Sequence, residues 1–280
     1  KTSSSALVKT LLITLVYLLG TASLIIVFDN IGIGQRYSML IAQLLFLLLP
    51  AIYVAKQEGF NIFSNFKLKD KNFGRIFLLS LLGLFALELM ITGYMNVIEN
   101  LFSIFEIDFF KEMKQEQFDL LKDFTRADSF YEFMLIVLII AVLPGICEEV
   151  LYRGYLQVHL EKGYGFWIGV LLSGLIFAFI HFDFVNFFPL LMIGVFLAYV
   201  FHVTGNLLYP MILHFLNNLY SVVMMNYFIE DYGAEISIFA LLFGIVSWIT
   251  GLILLYLAGR KLYEYKVKNR DIQLEFPETS

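Results

Sequence analysis

The sequence predicts an all-α, polytopic membrane protein with about eight transmembrane helices. Apolar residues make up 60% of the 280 residues, whereas Asp, Glu, Lys and Arg together make up only 15%. Soluble domains average roughly 45–50% apolar and about 25% charged residues. The apolar residues are also gathered into stretches of the length that a spanning helix needs, about 20 residues. Together these observations predict a chain that is mostly embedded in a lipid bilayer.

The apolar stretches follow one another with short connections. The first is longer than the roughly 7–15-residue apolar core of a secretory signal, so we expect it to be a retained span. No internal repeat or Pro-rich linker marks a second domain, and we predict one integral membrane domain over residues 1–270, followed by a cytoplasmic tail at 271–280. The eight predicted spans are residues 6–28, 37–55, 73–95, 131–161, 165–183, 185–203, 206–228 and 237–259.

The charges of the loops predict the orientation in the cell membrane. Lys and Arg cluster at 56–75 and at 260–270, whereas the loop at 229–236 carries acidic residues and no Lys or Arg. Loops rich in Lys and Arg stay in the cytoplasm, so we expect both termini to be cytoplasmic. The net charge of -5, without a basic stripe, argues against nucleic acid as a partner. A composition rich in Lys, Ile and Phe, without organelle signals, suggests a bacterial chain.

The connection at residues 96–130 is the longest. Aromatic and aliphatic residues recur in it at partly helical spacing among charged residues, which predicts an amphipathic helix. Such a helix could lie in the membrane interface or pack as a solvated loop helix on the domain, and a lid over a lateral entry route is a third interpretation. The apolar residues concerned are Phe102, Phe105, Phe109, Phe110, Phe118 and Leu121.

The fourth span contains three ionisable residues, Glu148, Glu149 and Arg153. A charge at the centre of a membrane helix costs at least about 2.5–3.5 kcal/mol, so such residues are usually paired, inward-facing and functional. Glu149 and Arg153 lie four apart on one helix face and can pair, whereas Glu148 points about 100° away. We therefore predict that Glu148 is the free carboxylate. A carboxylate tuned toward neutrality is what a general base acting on water requires. Pro144 and Gly145 would loosen the helix and could admit water.

Later spans contribute His181 and the pair His214 and Asn218, which share a helix face. At about 1.5 Å per residue, counted from the turn near residue 164, Glu148 and His181 differ in depth by only roughly 5 Å. We therefore predict one cluster in the inner half or middle of the bilayer. The residues alone also allow a structural ion-pair network with hydrogen-bonded core histidines.

Three motifs carry a resemblance to a known family. Glu-Glu-x-x-x-Arg at 148–153, Phe-x-x-x-His at 177–181 and His-x-x-x-Asn at 214–218 resemble the motifs of type II CAAX prenyl endopeptidases and their bacterial relatives, the CAAX proteases and bacteriocin-processing enzymes, also called Abi proteins. The resemblance covers about residues 130–220, within a motif-bearing core of about 130–228. It implies an intramembrane endopeptidase whose substrate is a peptide or membrane-protein segment, such as a secreted signalling peptide or a bacteriocin leader.

The resemblance also implies roles for the motif residues. Glu148 would activate a water with help from His181, while His214 and Asn218 would donate hydrogen bonds to the oxyanion. By helical geometry, the pair of Glu149 and Arg153 would hold the site together and tune its electrostatics. The implied catalytic set is therefore Glu148, Glu149, Arg153, His181, His214 and Asn218.

The sequence leaves the metal question open. The family has been described both as metalloproteases and as metal-independent glutamate proteases. Glu148, His181 and His214, together with Glu149, are candidate ligands for Zn²⁺ with an open position for water. The soluble zincin spacing His-Glu-x-x-His is absent from the sequence, and we favour a metal-free site.

Two other classes of function remain open. The chain could be a non-catalytic membrane regulator or bacteriocin-immunity protein that binds a partner through its helices. A proton-coupled transporter would also use buried Glu, His and Arg, but it predicts inverted repeats, which the sequence does not display. Glu88, a lone acid in the third span, matches no motif, and we interpret His159 and His202 as interfacial residues near span ends.

Overall fold

The computed structural model describes residues 2–32, 34–68, 72–105, 108–228 and 238–268. The predicted outer loop at 229–236 and the predicted tail at 271–280 lie outside these described residues. Within them the regular structure is entirely helical. The helices are α1 (Thr2–Asn30), α2 (Gln35–Gln57), α3 (Phe73–Ile104), α4 (Asp108–Thr125), α5 (Phe130–Tyr164), α6 (Phe166–Phe179), α7 (Phe187–Thr204), α8 (Leu208–Tyr227) and α9 (Ile238–Lys268).

The prediction of an all-α, multi-pass membrane protein is confirmed. Among the described residues, 6 helices are long and apolar enough to cross a membrane, namely α1, α2, α3, α5, α7 and α9. The other two predicted spans are also helices, but α6 has only 14 residues. Helix α8 is less apolar because it carries His214 and several Asn residues. Eight membrane crossings therefore remain a prediction.

Helix α4 is the helix predicted in the long connection. Its Lys114 forms an ion pair with Glu99 of α3, and Gln117 accepts a hydrogen bond from Asn186 at 3.3 Å. At its end, the carbonyl of Thr125 accepts a hydrogen bond from Asn226 of α8 at 2.7 Å. These contacts dock α4 on the ends of α3, α7 and α8. An interfacial position in the membrane stays a prediction.

The buried apolar side chains form two clusters. One joins α1, α2, α5 and α6, with Leu47, Val150 and Phe177 among its members, and also includes Phe201 of α7 and Met211 of α8. The other joins α3, α7, α8 and α9 through residues such as Leu87 and Leu213. The motif helix α5 lies in the first cluster and makes hydrogen bonds to α7 and α8 of the second. The motif residues therefore lie at the junction of the two clusters.

Glycines allow the helices around this junction to touch. A Cβ on Gly194 of α7 would lie 2.9 Å from the carbonyl oxygen of Gly174 on α6. A Cβ on Gly145 of α5 would lie 3.1 Å from the carbonyl oxygen of Met211 on α8. Small residues at such crossings let backbones approach closely, which is a principal source of helix association in membranes. Gly145 is therefore a packing residue, and the expectation that Pro144 and Gly145 loosen α5 and admit water stays a prediction.

Helix α5 contains two π-helical stretches, Leu138–Val142 and Val150–Gln157. Pro144 follows the first stretch, and because proline has no N–H it cannot donate to the carbonyl four residues before it, that of Ile140. The side chain of Asn218 donates to that carbonyl instead, at 2.9 Å. The neighbouring Ile139 carbonyl accepts from Gln43 of α2 at 2.9 Å. The irregular stretch thus gives α5 acceptors that tie it to two other helices.

Candidate active site

Glu149, Arg153 and His214 form a buried network. One oxygen of Glu149 accepts hydrogen bonds from Arg153 at 2.7 Å and from His214 Nδ1 at 2.8 Å. The exposed fractions of the three residues are 0%, 0% and 3%. The ion pair predicted between Glu149 and Arg153 is confirmed, whereas the contact with His214 was not predicted. An ionised carboxylate only accepts, so the proton of His214 resides on Nδ1.

Phe177 lies at the centre of this network. Its ring centroid is 4.6 Å from the Arg153 guanidinium, 4.7 Å from the His181 ring and 5.7 Å from the His214 ring. Tyr152 packs edge-on against it at 5.7 Å. A desolvated cation–π contact stabilises a buried guanidinium by about 2 kcal/mol. The aromatic residue of the second motif therefore orients both histidines, a role for which the sequence offered only the four-residue spacing from His181.

Glu148 and His181 form a second, looser pair. Glu148 Oε2 lies 3.9 Å from His181 Nε2, with side chains 14% and 29% exposed. His181 Nδ1 donates to the Phe177 carbonyl at 2.7 Å, which leaves Nε2 as the acceptor of a neutral ring. Glu148 Oε2 is shielded from solvent and has no hydrogen-bond partner among the described residues. Glu148 is thus separate from the Glu149–Arg153 pair, as predicted, and its role as the general base stays a prediction.

The separation of this pair matches the size of one water. At 3.9 Å the two atoms are too far apart for a direct hydrogen bond. Polar atoms more than 3.5 Å apart are commonly bridged by a water at about 2.8 Å from each. A buried polar atom without a partner calls for such an explanation. The separation of the two atoms is therefore that of a water-bridged pair.

His181 is held by a constrained turn. Helix α6 ends at Phe179, and Phe182, next to His181, has a φ of 50°. A non-glycine residue in this left-handed region costs roughly 1–2 kcal/mol, and such strain clusters at functional sites. Asp183 fixes the turn by accepting hydrogen bonds from the backbone and side-chain nitrogens of Asn186, both at 2.8 Å. His181 therefore occupies a fixed place beyond the end of its helix.

Asn218 lies apart from the other predicted site residues. Its Nδ2 donates to the Ile140 carbonyl at 2.9 Å, and its Oδ1 accepts from Asn217 at 3.2 Å. It makes no hydrogen bond to Glu148, Glu149 or His181 among the described contacts. A side-chain amide carries two N–H groups, so one remains for a substrate. Asn218 thus ties α8 to α5 and keeps one donor.

The acidic and imidazole groups of the site are arranged as two pairs rather than as one ligand set. Among the residues that the structure describes, no group of 3 or more His, Cys, Asp or Glu could hold a metal ion. His214 turns Nδ1 to Glu149, and His181 faces Glu148. The candidate ligands Glu148, His181 and His214, as they are placed here, do not fit a zinc site.

A row of polar contacts, the α5–α7 polar ladder, connects this site with the far end of α5. Polar side chains of α5, four residues apart, bond to positions of α7 that are also four residues apart. The contacts are Arg153 Nη2 to Gly194 O at 3.0 Å, Gln157 Nε2 to Ala198 O at 2.8 Å and Glu161 Oε2 to His202 Nδ1 at 2.6 Å. At the last contact, Lys266 of α9 donates to His202 Nε2 at 2.6 Å.

His202, at the end of the ladder, has a side chain that is only 13% exposed, and its interfacial depth in the membrane stays a prediction. His159 is likewise buried, with an exposed fraction of 3%. Its Nε2 lies 3.4 Å from Glu58, and its carbonyl accepts a hydrogen bond from Ser3 of α1. Both histidines lie inside because other segments cover the helix end. Glu88, by contrast, makes no hydrogen bond or ion pair with another described residue.

Comparison with known proteins finds one family model that matches part of the chain. Residues 130–220 match the family model described as type II CAAX prenyl endopeptidase Rce1-like. The matched region contains α5 to most of α8, and with them all six predicted site residues. The chain matches no curated protein and no solved structure.

Proposed function

We propose that the chain is an intramembrane endopeptidase of the glutamate type, because residues 130–220 match the family model of type II CAAX prenyl endopeptidases. Family membership implies a protease with a peptide or protein substrate. The observation that carries the mechanism is the pair of Glu148 and His181, 3.9 Å apart, with an unpartnered carboxylate oxygen. The adjacent Glu149 is already bound to Arg153 and His214.

The reaction begins with the water between Glu148 and His181. Glu148 accepts a proton from this water, and the resulting hydroxide attacks the carbonyl carbon of the scissile bond. His181 Nε2 accepts the second hydrogen bond of the water and so orients its lone pair toward the carbonyl. Glu148 then returns the proton to the leaving nitrogen as the C–N bond breaks. A base in this position typically contributes 10²–10⁴-fold.

The tetrahedral intermediate carries a negative oxygen that needs donors. The free N–H of Asn218 is one candidate, and His214 Nε2 is the other. A preorganised donor of this kind typically contributes about 2.7–4 kcal/mol. His214 already donates from Nδ1 to Glu149, so it donates from Nε2 only as an imidazolium. Glu149 therefore serves to orient His214 and to stabilise its positive charge, with Arg153 holding Glu149 in place.

The direct test compares peptides released by membranes that carry the wild-type chain or Glu148→Gln. We expect the variant to remain in the membrane and to release the products at least about 100-fold more slowly. Glu88→Gln is the matched control, because it neutralises another acid within a spanning helix outside the site. It should leave the released peptides unchanged, and the wild-type sample would also identify a substrate.

Unchanged product release by Glu148→Gln would overturn the proposed mechanism. The release of every peptide could be the same with Glu148→Gln as with the wild type, while the cellular phenotype of the wild-type chain is retained in the variant. The chain would then act by binding a partner, as the regulator or immunity protein considered from the sequence would.

The glutamate-type mechanism predicts that hydrolysis does not need a bound metal. Purified protein treated with a zinc chelator and then freed of the chelator should cleave its substrate at an unchanged rate. A loss of activity that is restored by Zn²⁺ would contradict the glutamate-type assignment and leave the peptidase assignment standing.

A further inference from the structure

A groove lies where α3 begins and α9 ends, far along the chain from the motif residues. Its volume is about 500 Å³. We call it the α3–α9 groove. The lining residues that matter here are Arg75, Leu78 and Leu82 of α3 and Lys261, Glu264 and Lys268 of α9.

The groove carries an excess of positive charge. Glu264 is shared by Lys261 at 3.2 Å and by the nearby Arg260 at 3.1 Å. Arg75 and Lys268 are exposed, and neither has an ion-pair partner among the described residues. Three cationic side chains therefore line the groove against one carboxylate that is already bound. The charge is complementary to an anion.

The polarity of the groove changes along the axis of α3. Arg75, Leu78 and Leu82 recur at intervals of three and four residues, so they lie on one face of the helix. At about 1.5 Å per residue, Leu82 lies about 10 Å deeper along the helix than Arg75. Leu78 and Leu82 are 56% and 53% exposed. A cation at the helix end followed by uncovered leucines matches a phosphate group followed by an acyl chain.

We propose that the α3–α9 groove is a binding site for an anionic phospholipid. The phosphate binds between Arg75 and Lys268, and an acyl chain lies against Leu78 and Leu82. Basic pockets between membrane helices bind anionic headgroups in this way. A zwitterionic lipid fits less well because the positive charge of its headgroup meets the same cations. The site is independent of the proposed peptidase activity.

The test is native mass spectrometry of the full-length protein purified in detergent and titrated with phosphatidylglycerol or phosphatidylcholine. The binding variant is Arg75→Gln/Lys268→Gln. The control is Lys56→Gln/Lys67→Gln, which removes the same charge from other surface positions that we predict to lie on the same side of the membrane. Each cation near an anionic headgroup contributes about fivefold, so we expect retention of phosphatidylglycerol to weaken about 30-fold in the binding variant and little in the control.

A second variant tests the apolar half of the groove without changing its charge. Leu78→Trp fills the groove, and we expect it to reduce phosphatidylglycerol retention while the protein elutes as the wild type does. Equal losses in the binding and control variants would overturn the proposal in favour of diffuse electrostatic attraction. Equal retention of phosphatidylcholine, or displacement of phosphatidylglycerol by inorganic phosphate at similar concentrations, would overturn the assignment to an anionic lipid.

Discussion

Glu148 and Glu149 are neighbours in sequence with opposite surroundings. Glu149 is fully buried, and one of its oxygens accepts from Arg153 and His214. Glu148 is partly exposed, and its Oε2 accepts from no described residue. The difference follows from the helical rotation of about 100° between consecutive residues, which turns Glu149 toward α8 and Glu148 toward the turn of His181. The same substitution at these two positions should therefore have different effects, one on the stability of the protein and the other on hydrolysis.

Glu149→Gln should destabilise the protein strongly. The substitution leaves the buried charge of Arg153 without its counter-ion, and breaking a buried pair on one side typically costs 3–5 kcal/mol. The buried Cys147 is the single cysteine of the chain. The temperature at which it becomes reactive toward a thiol-specific fluorophore measures the loss of fold. We expect this temperature to fall well below that of the wild type.

Glu148→Gln is the matched comparison in the same assay. Its Oε2 has no described hydrogen-bond partner to lose, so the temperature of Cys147 exposure should equal or exceed that of the wild type, although hydrolysis is lost. An equal fall in both variants would contradict the separation of the two glutamates into a reacting and an orienting residue.

At the scale of the helix, the sequence predicted some features and not others. All eight apolar segments fold into helices, and the ion pair of Glu149 with Arg153 follows from their spacing on one helix. The contact between His214 and Glu149 joins residues 65 positions apart, and no local pattern specifies such a pairing. The π-helical stretches of α5 were likewise missed, because hydropathy patterns do not distinguish them from an α-helix.

The crossing of α6 and α7 should tolerate no side chain at Gly194. In Gly194→Ala, the added Cβ meets the Gly174 backbone and the Phe177 ring, at 2.9 Å and 3.1 Å. Overpacking of this kind costs about 1–3 kcal/mol. It also displaces the carbonyl that binds Arg153, so we expect both the temperature of Cys147 exposure and the rate of hydrolysis to fall.

Gly259→Ala is the control for this crossing. A Cβ there meets only the Tyr199 ring, at an ordinary distance of 3.8 Å. Replacing a helical glycine by alanine stabilises a helix by roughly 0.5–1 kcal/mol, so stability should be kept or raised. Similar losses in the two variants would indicate that any glycine substitution harms the bundle and that the crossing has no special role.

For the whole molecule, the distribution of Lys and Arg predicts that both termini face the cytoplasm. Fusions of green fluorescent protein to either end should fluoresce, because this reporter folds in the cytoplasm. Alkaline phosphatase inserted near residue 33 should be active, because that loop is predicted to lie outside. Activity of alkaline phosphatase at the C-terminus would contradict the predicted orientation and the even number of crossings on which it depends.

The burial of His159 and His202 depends on contacts between distant parts of the chain, which the sequence pattern does not predict. Both lie near the end of a predicted span, which predicts a position at the depth of the membrane interface. Residues distant in the chain, such as Ser3, Glu58 and Lys266, contact them there. Hydropathy predicts where a residue lies along its own helix. It does not predict burial at the end of that helix, because the residues that cover the end come from other segments.

The α5–α7 polar ladder fixes the sliding position of one helix on the other. A shift of α7 by one turn, about 5.4 Å, would separate Glu161 from His202 and bring Ala198 to the place of Gly194 against Gly174. The three contacts therefore oppose sliding of α7 along α5. Under the proposed mechanism, a peptide would reach Glu148 between these two helices and their other neighbours.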